Sequence, residues 1–243
     1  MRTNLNAVLV AAMLNLVLVA GQAAQADDAI STVVQNGAGN LAAVVQEQTI
    51  SSTSAAVTQL GTGNSASVFQ QSTMITGAEV EQAGTGNKAT TYQRDTGLSD
   101  IVAHQQGTHN SATLSQVSVF PFLIQTSQTG TDNAIVITES IGGFAGPVVT
   151  QEGTGNRANL LQFDDYYSGI KIDQQGLRNQ ADRAQVGAYM TDGMSITQHG
   201  ADNRATVANT GQSNSMSVTQ LGNGAIASAS LSGNGNQGVI LQH

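Results

Sequence analysis

The chain has no cysteine, no tryptophan, two prolines and few charges: Asp, Glu, Lys and Arg make up 10% of its 243 residues, against about 25% in ordinary globular domains. Each shortage excludes something. Without cysteine there is neither a disulfide framework nor a thiolate metal site. With aromatics at 4%, a core of large rings is out of reach. The apolar 40% is mostly Ala, Val and Ile, which suits thin, regularly packed layers. A formal net charge of −8, with eight Lys and Arg in all, argues against a binder of phosphate backbones. It favours subunits that stay soluble before they meet.

What the chain has in quantity is Gly, Gln, Asn, Ser and Thr. It opens on a segment with the form of a Sec-type signal peptide: Arg2, an apolar run from Ala7 to Ala20 broken by Asn15, and the small-x-small pattern Ala24-Gln25-Ala26. Residues 1–26 are expected to be removed before Asp27, leaving 27–243 as one repeat domain. The apolar run is short for a spanning helix, which needs about 20 residues. No later segment reads as membrane-spanning.

The organisation is a repeat. A Gln opens each unit at Gln35, Gln59, Gln82, Gln105, Gln128, Gln151, Gln174, Gln198 and Gln220, in steps of 22 to 24 residues. Two residues on stands a glycine every time: Gly37, Gly61, Gly84, Gly107, Gly130, Gly153, Gly176, Gly200 and Gly222. An Asn follows at Asn40, Asn64, Asn87, Asn110, Asn133, Asn156, Asn179 and Asn203, then an Ala two positions further in most units. A second Gln closes the pattern at Gln46, Gln70, Gln93, Gln116, Gln162 and Gln185. From Gly200 the period halves, with Gly211, Gly222 and Gly233 each eleven residues on.

Alternation within a unit predicts strand, tight turn, strand, second turn. The position two before the first Gln is Val or Ile in seven of nine units, from Val33 to Val218, and reads as an inward column. The position four after the Asn is also mostly apolar, with Arg183 the exception. A short reversal needs positive φ somewhere, which glycine adopts without steric cost. In stacked strands like residues sit about 4.7 Å apart. A column of carboxylates would repel itself there, whereas an amide carries donor and acceptor on one group and can bond to its own kind above and below. The expected fold is therefore an all-β solenoid of about nine to ten rungs, with Gln and Asn ladders beside Val, Ile and Ala columns. The diverse second arcs, Phe120-Pro-Phe, Gly142 to Pro147 and Asp164-Asp-Tyr-Tyr167, are expected to be surface loops on one edge.

These residues resemble the curlin family of bacterial functional amyloids, whose repeat runs Ser-x5-Gln-x-Gly-x-Gly-Asn-x-Ala-x3-Gln. Gln59–Gln70, Gln82–Gln93 and Gln151–Gln162 match it fully from Gln on, and the likeness covers residues 30 to 242. The resemblance implies a strand-turn-strand solenoid of the major-subunit type. It implies export through an outer-membrane pore with periplasmic accessory proteins, a nucleator subunit as partner, and polymerisation with itself into cell-surface biofilm fibres. Asp182 and Arg183, Glu139 at a Gln position and Ala225 at an Asn position mark weaker rungs, suited to slowing premature assembly.

Chemistry is sparse. His104, His109, His199 and His243 lie in different units, where metal ligation needs clustering. Asp164-Asp165 lacks the further ligand spacing of a calcium loop. The glycine turns carry no Gly-Lys-Ser/Thr, and the four tyrosines are dispersed, unlike a nucleic-acid stacking platform. Neither an enzyme nor a cofactor is expected. The alternatives are a minor or nucleator subunit and a monomeric solenoid adhesin or ice-binding module. The latter would want a regular outward array, whereas one outward column reads Thr58, Glu81, His104, Ser127.

Overall fold

A computed structural model describes residues 6–12, 16–22, 29–49, 51–144, 146–167, 169–187 and 193–243. It consists of strands and turns, with no helix among the described residues. In chain order the strands are β1 (Asn6–Ala12), β2 (Leu16–Gln22), β3 (Ala29–Ala38), β4 (Leu41–Glu47), β5 (Thr53–Thr62), β6 (Ser65–Gln71) and β7 (Gly77–Thr85). Then come β8 (Lys88–Arg94), β9 (Ser99–Thr108), β10 (Ser111–Val119), β11 (Phe122–Thr131), β12 (Ala134–Gly143), β13 (Pro147–Thr154) and β14 (Arg157–Tyr166). The last are β15 (Ile170–Leu177), β16 (Gln180–Val186), β17 (Met194–Ala201), β18 (Arg204–Thr210), β19 (Ser215–Asn223), β20 (Ile226–Ser232) and β21 (Gln237–Gln242).

Odd strands form one parallel sheet of 11 strands, here sheet A, and even strands a second of 10, sheet B. One odd and one even strand make a rung; rung 1 is β3 with β4 and rung 9 is β19 with β20. The chain winds as a β-solenoid, each rung stacked on the one before. Register is exact in kind as well as in count: Gln59 pairs with Gln82, Gly61 with Gly84, and Gln70 with Gln93. A shift of one residue would turn every inward side chain outward, so the buried alternation fixes that register.

The core is a thin slab between the sheets. Val57, Val80, Ala103, Thr126 and Val149 stack from sheet A, each at most 1% exposed. Val68, Thr91, Leu114 and Ile137 face them from sheet B. Full burial of one Val or Ile contributes about 1.5–3 kcal/mol, repeated at nearly every rung.

The second arcs differ from the loops expected. They are turns stacked rung on rung, with Phe120 N–H donating to the Gly142 carbonyl (2.9 Å) and Tyr167 N–H to that of Gly143 (3.0 Å). Inward columns hold this corner, small in the first rungs and ending on the buried Val119 and Phe122 at the Phe120 arc. Thr49, Thr73 and Thr96 form one inward column, and Thr53, Thr76 and Ser99 another. Pro147 begins a strand, and Pro121 lies in a turn.

Residues 6–12 and 16–22, within the expected signal peptide, pair in register with β3 and β4. The expected cleavage pattern at 24–26 lies outside the described residues. No helix of the described residues is long and apolar enough to cross a membrane.

Candidate functional site: the amide and glycine columns

At the first turn of each rung, glycine at the first position has φ between 112° and 124° from Gly37 to Gly222, and Gly211 and Gly233 take 109° and 99° at the second corner. Side chains avoid this region, and a Cβ on Gly61 would strike the carbonyl oxygen of Gly84 on the next rung. The second turn position is different. Gly63 and Gly86 have φ 66°, and His109, Asp132, Arg178 and Asp202 sit there at 50° to 60°. That is ordinary left-handed geometry, which non-glycine residues occupy at a modest cost. Steric contact between rungs therefore separates the invariant first glycine from the looser second one.

The first turn also anchors the Asn column. Asn64 Nδ2 donates to the carbonyl of Gly84 (3.0 Å) and to that of Leu60 in its own turn (3.3 Å). Its Oδ1 accepts from the Asn87 backbone N–H (3.0 Å). The same accepting bond runs from Asn40 to Asn203. At Ala225 the side-chain column stops, while the Ala225 N–H still donates to Asn203 (3.0 Å).

Sheet A carries an unbroken glutamine ladder. Each Nε2 donates to the Oε1 of the next rung, from Gln35 to Gln59 (2.6 Å) and on through Gln82, Gln105, Gln128, Gln151, Gln174, Gln198 and Gln220, at 2.6 to 2.9 Å. The second hydrogen of each Nε2 crosses to sheet B, as from Gln82 to the Ser65 carbonyl (3.1 Å). Gln105, Gln128 and Gln151 repeat this bond. Each internal amide thus uses both donors and an acceptor while buried, the condition under which a buried polar group costs little. The ladder has a direction. Its donors face rising residue number, and Gln35 Oε1, at its first position, is buried without a hydrogen-bond partner. Gln242, which the repeat reading had omitted, continues it by accepting from Gln220 (2.8 Å). Its signal was a further step of 22 residues after Gln220.

Sheet B is different. Gln46 Oε1 accepts from the Ser31 hydroxyl (2.6 Å), a cap the sequence reading also missed. Nε2 bonds then run from Gln46 to Gln70, Gln93 and Gln116 at 2.8 to 3.0 Å. The next residue in register is Glu139, 1% exposed. Gln162, Gln185 and Asn209 continue the column, and Leu231 ends the amides. Arg183, 4% exposed, stands in the neighbouring apolar column between Leu160 and Val207. Its Nη2 donates to Gln185 Oε1.

Cross-strand pairing also gathers Glu79, Glu81 and His104, of which Glu81 and His104 are neighbours in the outward column read from the repeat. Their ligand atoms lie within 4.8 Å of one another on the outer face of sheet A. Exposed acidic groups commonly stand this close without an ion, and Glu81 already faces His104 Nε2 at 3.5 Å. The remaining histidines are not part of it.

No curated protein matches the chain significantly. Residues 194–222, which run from β17 through the glycine turn and β18 to β19, match the curlin associated repeat. That rung shares its pairing register with its neighbours on both sides. The match supports recognising the chain as one of the curlin family.

Proposed function

We propose that this chain is a secreted structural subunit, not an enzyme, that polymerises with its own copies into extracellular curli-like amyloid fibres. The observation that carries the reading is the polar, self-complementary glutamine ladder of sheet A. Every rung offers donors on one side and acceptors on the other, in one register. A rung of one copy therefore fits a rung of another as it fits its own neighbour. The buried acceptor at Gln35 Oε1 is where such a donor would enter. A leader spanning residues 1–26 would direct secretion, and its removal would bare β3 to an incoming strand.

On this reading a nucleator, an export pore and its periplasmic accessory proteins are the partners during secretion. Biofilm cohesion and surface adhesion are what the fibre does. The chain released from residues 1–26 is expected to form thioflavin-binding filaments without help, with a reflection near 4.7–4.8 Å along the fibre axis. A chain that stays monomeric and dye-negative at high concentration would sink the proposal. Growth only on adding a second protein would make it a helper-dependent subunit.

A further inference from the structure

The outer face of sheet A is acidic, and most of the outward cations of the strands lie on sheet B. On sheet A the described outward residues include Glu79, Glu81, Asp100, Glu152 and Asp173, against a single cation, Lys171. On sheet B they include Lys88, Arg94, Arg157 and Arg204, against Glu47, Asp164 and Asp182, and Arg94 lies 3.4 Å from Asp95 just beyond its strand. Asp182 lies 3.9 Å from Arg204 and offsets part of its charge. A chain of net charge −8 thus has one face that attracts the other.

The positions match as well as the signs. A copy shifted sideways without rotation sets sheet B of one solenoid against sheet A of the next, glycine corner beside glycine corner and rung level with rung. Glu152 and Arg157 are both exposed, both on rung 6 and both at the end of the strand next to the glycine corner, so they meet. On rung 3, Glu81 comes near Lys88, and Glu79 comes near Arg94. On rung 7, Lys171 comes near Asp182. Beside the Glu152 and Arg157 level both faces also carry apolar residues. Leu123 and Val148 are 44% and 37% exposed on sheet A, and Leu161 and Phe163 are 45% and 44% exposed on sheet B, all on rungs 5 and 6 toward the second corner.

We infer that copies of this chain pack side by side, the acidic outer face of sheet A of one against the basic outer face of sheet B of the next, around this apolar strip. The contact is heterologous, so it adds copies in an open row instead of closing a pair. Nine rungs at about 4.8 Å and strands of about 20 Å give each face roughly 900 Å², within the size of a stable interface. It goes beyond lengthwise growth, since it uses the faces of the stack and not its ends.

The test measures lateral association of the purified chain by filament-bundle width in electron micrographs and by small-angle scattering, at low salt and at about 0.5 M NaCl, where screening is nearly complete. Thick bundles at low salt and single solenoid widths at high salt are expected. Arg157→Glu and Glu152→Arg should each weaken association by about tenfold. The double exchange Glu152→Arg with Arg157→Glu should restore it. Three results overturn the inference: bundling indifferent to salt, dispersal by Arg157→Glu but not by Glu152→Arg, or no rescue in the double variant. The second would mean that the basic face docks on something other than this chain. Dye binding and the 4.7–4.8 Å reflection report lengthwise growth separately. If growth fails, scattering from the unpolymerised chain still reads side-by-side contact, so the two proposals fail independently.

Discussion

Sheet A carries one glutamine on every rung from Gln35 to Gln242, whereas the glutamine column of sheet B runs from Gln46 to Gln116 and then meets Glu139. Both sheets are made by one chain, with the same strand spacing and the same inward alternation, so backbone geometry does not explain the difference. The start of each ladder differs too. Gln46 Oε1 is capped by Ser31, while Gln35 Oε1 has no hydrogen-bond partner. Sheet A is therefore continuous and open at its acceptor end, and sheet B is closed at its start and crossed by Glu139, Arg183 and Leu231. A net hydrogen bond contributes about 1 kcal/mol, so sheet A sets register at every rung. Sheet B can lose amides and still be held by the backbone ladder and by sheet A through bonds such as Gln128 Nε2 to the Ser111 carbonyl (3.1 Å).

The largest expected effect erases the comparison by damaging both sheets together. Gly130→Ala places a Cβ at φ 119°, against the Gly153 carbonyl, at the turn that joins the two ladders. A loss of roughly 4 kcal/mol or more is expected, enough to abolish cooperative unfolding in urea. Gly63→Asn, at φ 66° on the looser position with open space around the added Cβ, should cost less than about 1 kcal/mol. Equal damage at the two sites would refute the steric account of the first glycine.

Next come two substitutions that exchange the character of the sheets. Gln128→Glu puts into sheet A what sheet B carries at Glu139. An ionised carboxylate cannot donate to Gln151 Oε1 or to the Ser111 carbonyl, and it has no buried cation in its column. A loss of about 3–5 kcal/mol at neutral pH is expected in urea titrations. The converse change repairs sheet B. Glu139→Gln together with Arg183→Val restores the amide and the apolar column and leaves no buried charge uncompensated. It should stabilise by about 1–4 kcal/mol and shorten the lag before dye binding. An unchanged lag would remove the view that charged rungs slow assembly.

The fold class was legible because the signal was redundant. Nine phased copies of one turn, with alternation on both sides, leave few ways to wind the chain. The glycine and amide positions were legible for the same reason. The direction of the ladder was not, since Gln-Gln spacing is blind to which amide donates. The Ser31 cap was hidden because Ser31 and Gln46 lie on opposite sheets of one rung. The ordered second corner was hidden because Thr49, Thr53 and Ser99 look like loop residues until their neighbours above and below are known. Arg183 was visible as a break in a column, but that it is buried and bonded to Gln185 depends on packing.

The smallest expected effect comes from charge placed outside both ladders. Arg178 and Asp202 stand on successive glycine-corner turns, joined by two bonds of 2.7 Å and exposed to water. Their like position in the repeat, not burial, brings them together. The hydrogen bond from Arg178 holds the Asp202 carboxyl below the ordinary carboxylate range. The sign follows from that direction. A carboxyl depressed in the folded state adds stability above its unfolded pKa of about 3.9, and this is lost as pH falls through the lower folded value. Asp202→Asn should therefore differ slightly from the parent at pH 7 and converge with it in strong acid, with salt reducing the difference. A difference at pH 7 as large as that of Gln128→Glu would show that charge at the turn is as costly as charge in the ladder, and the contrast between the sheets would then have another cause.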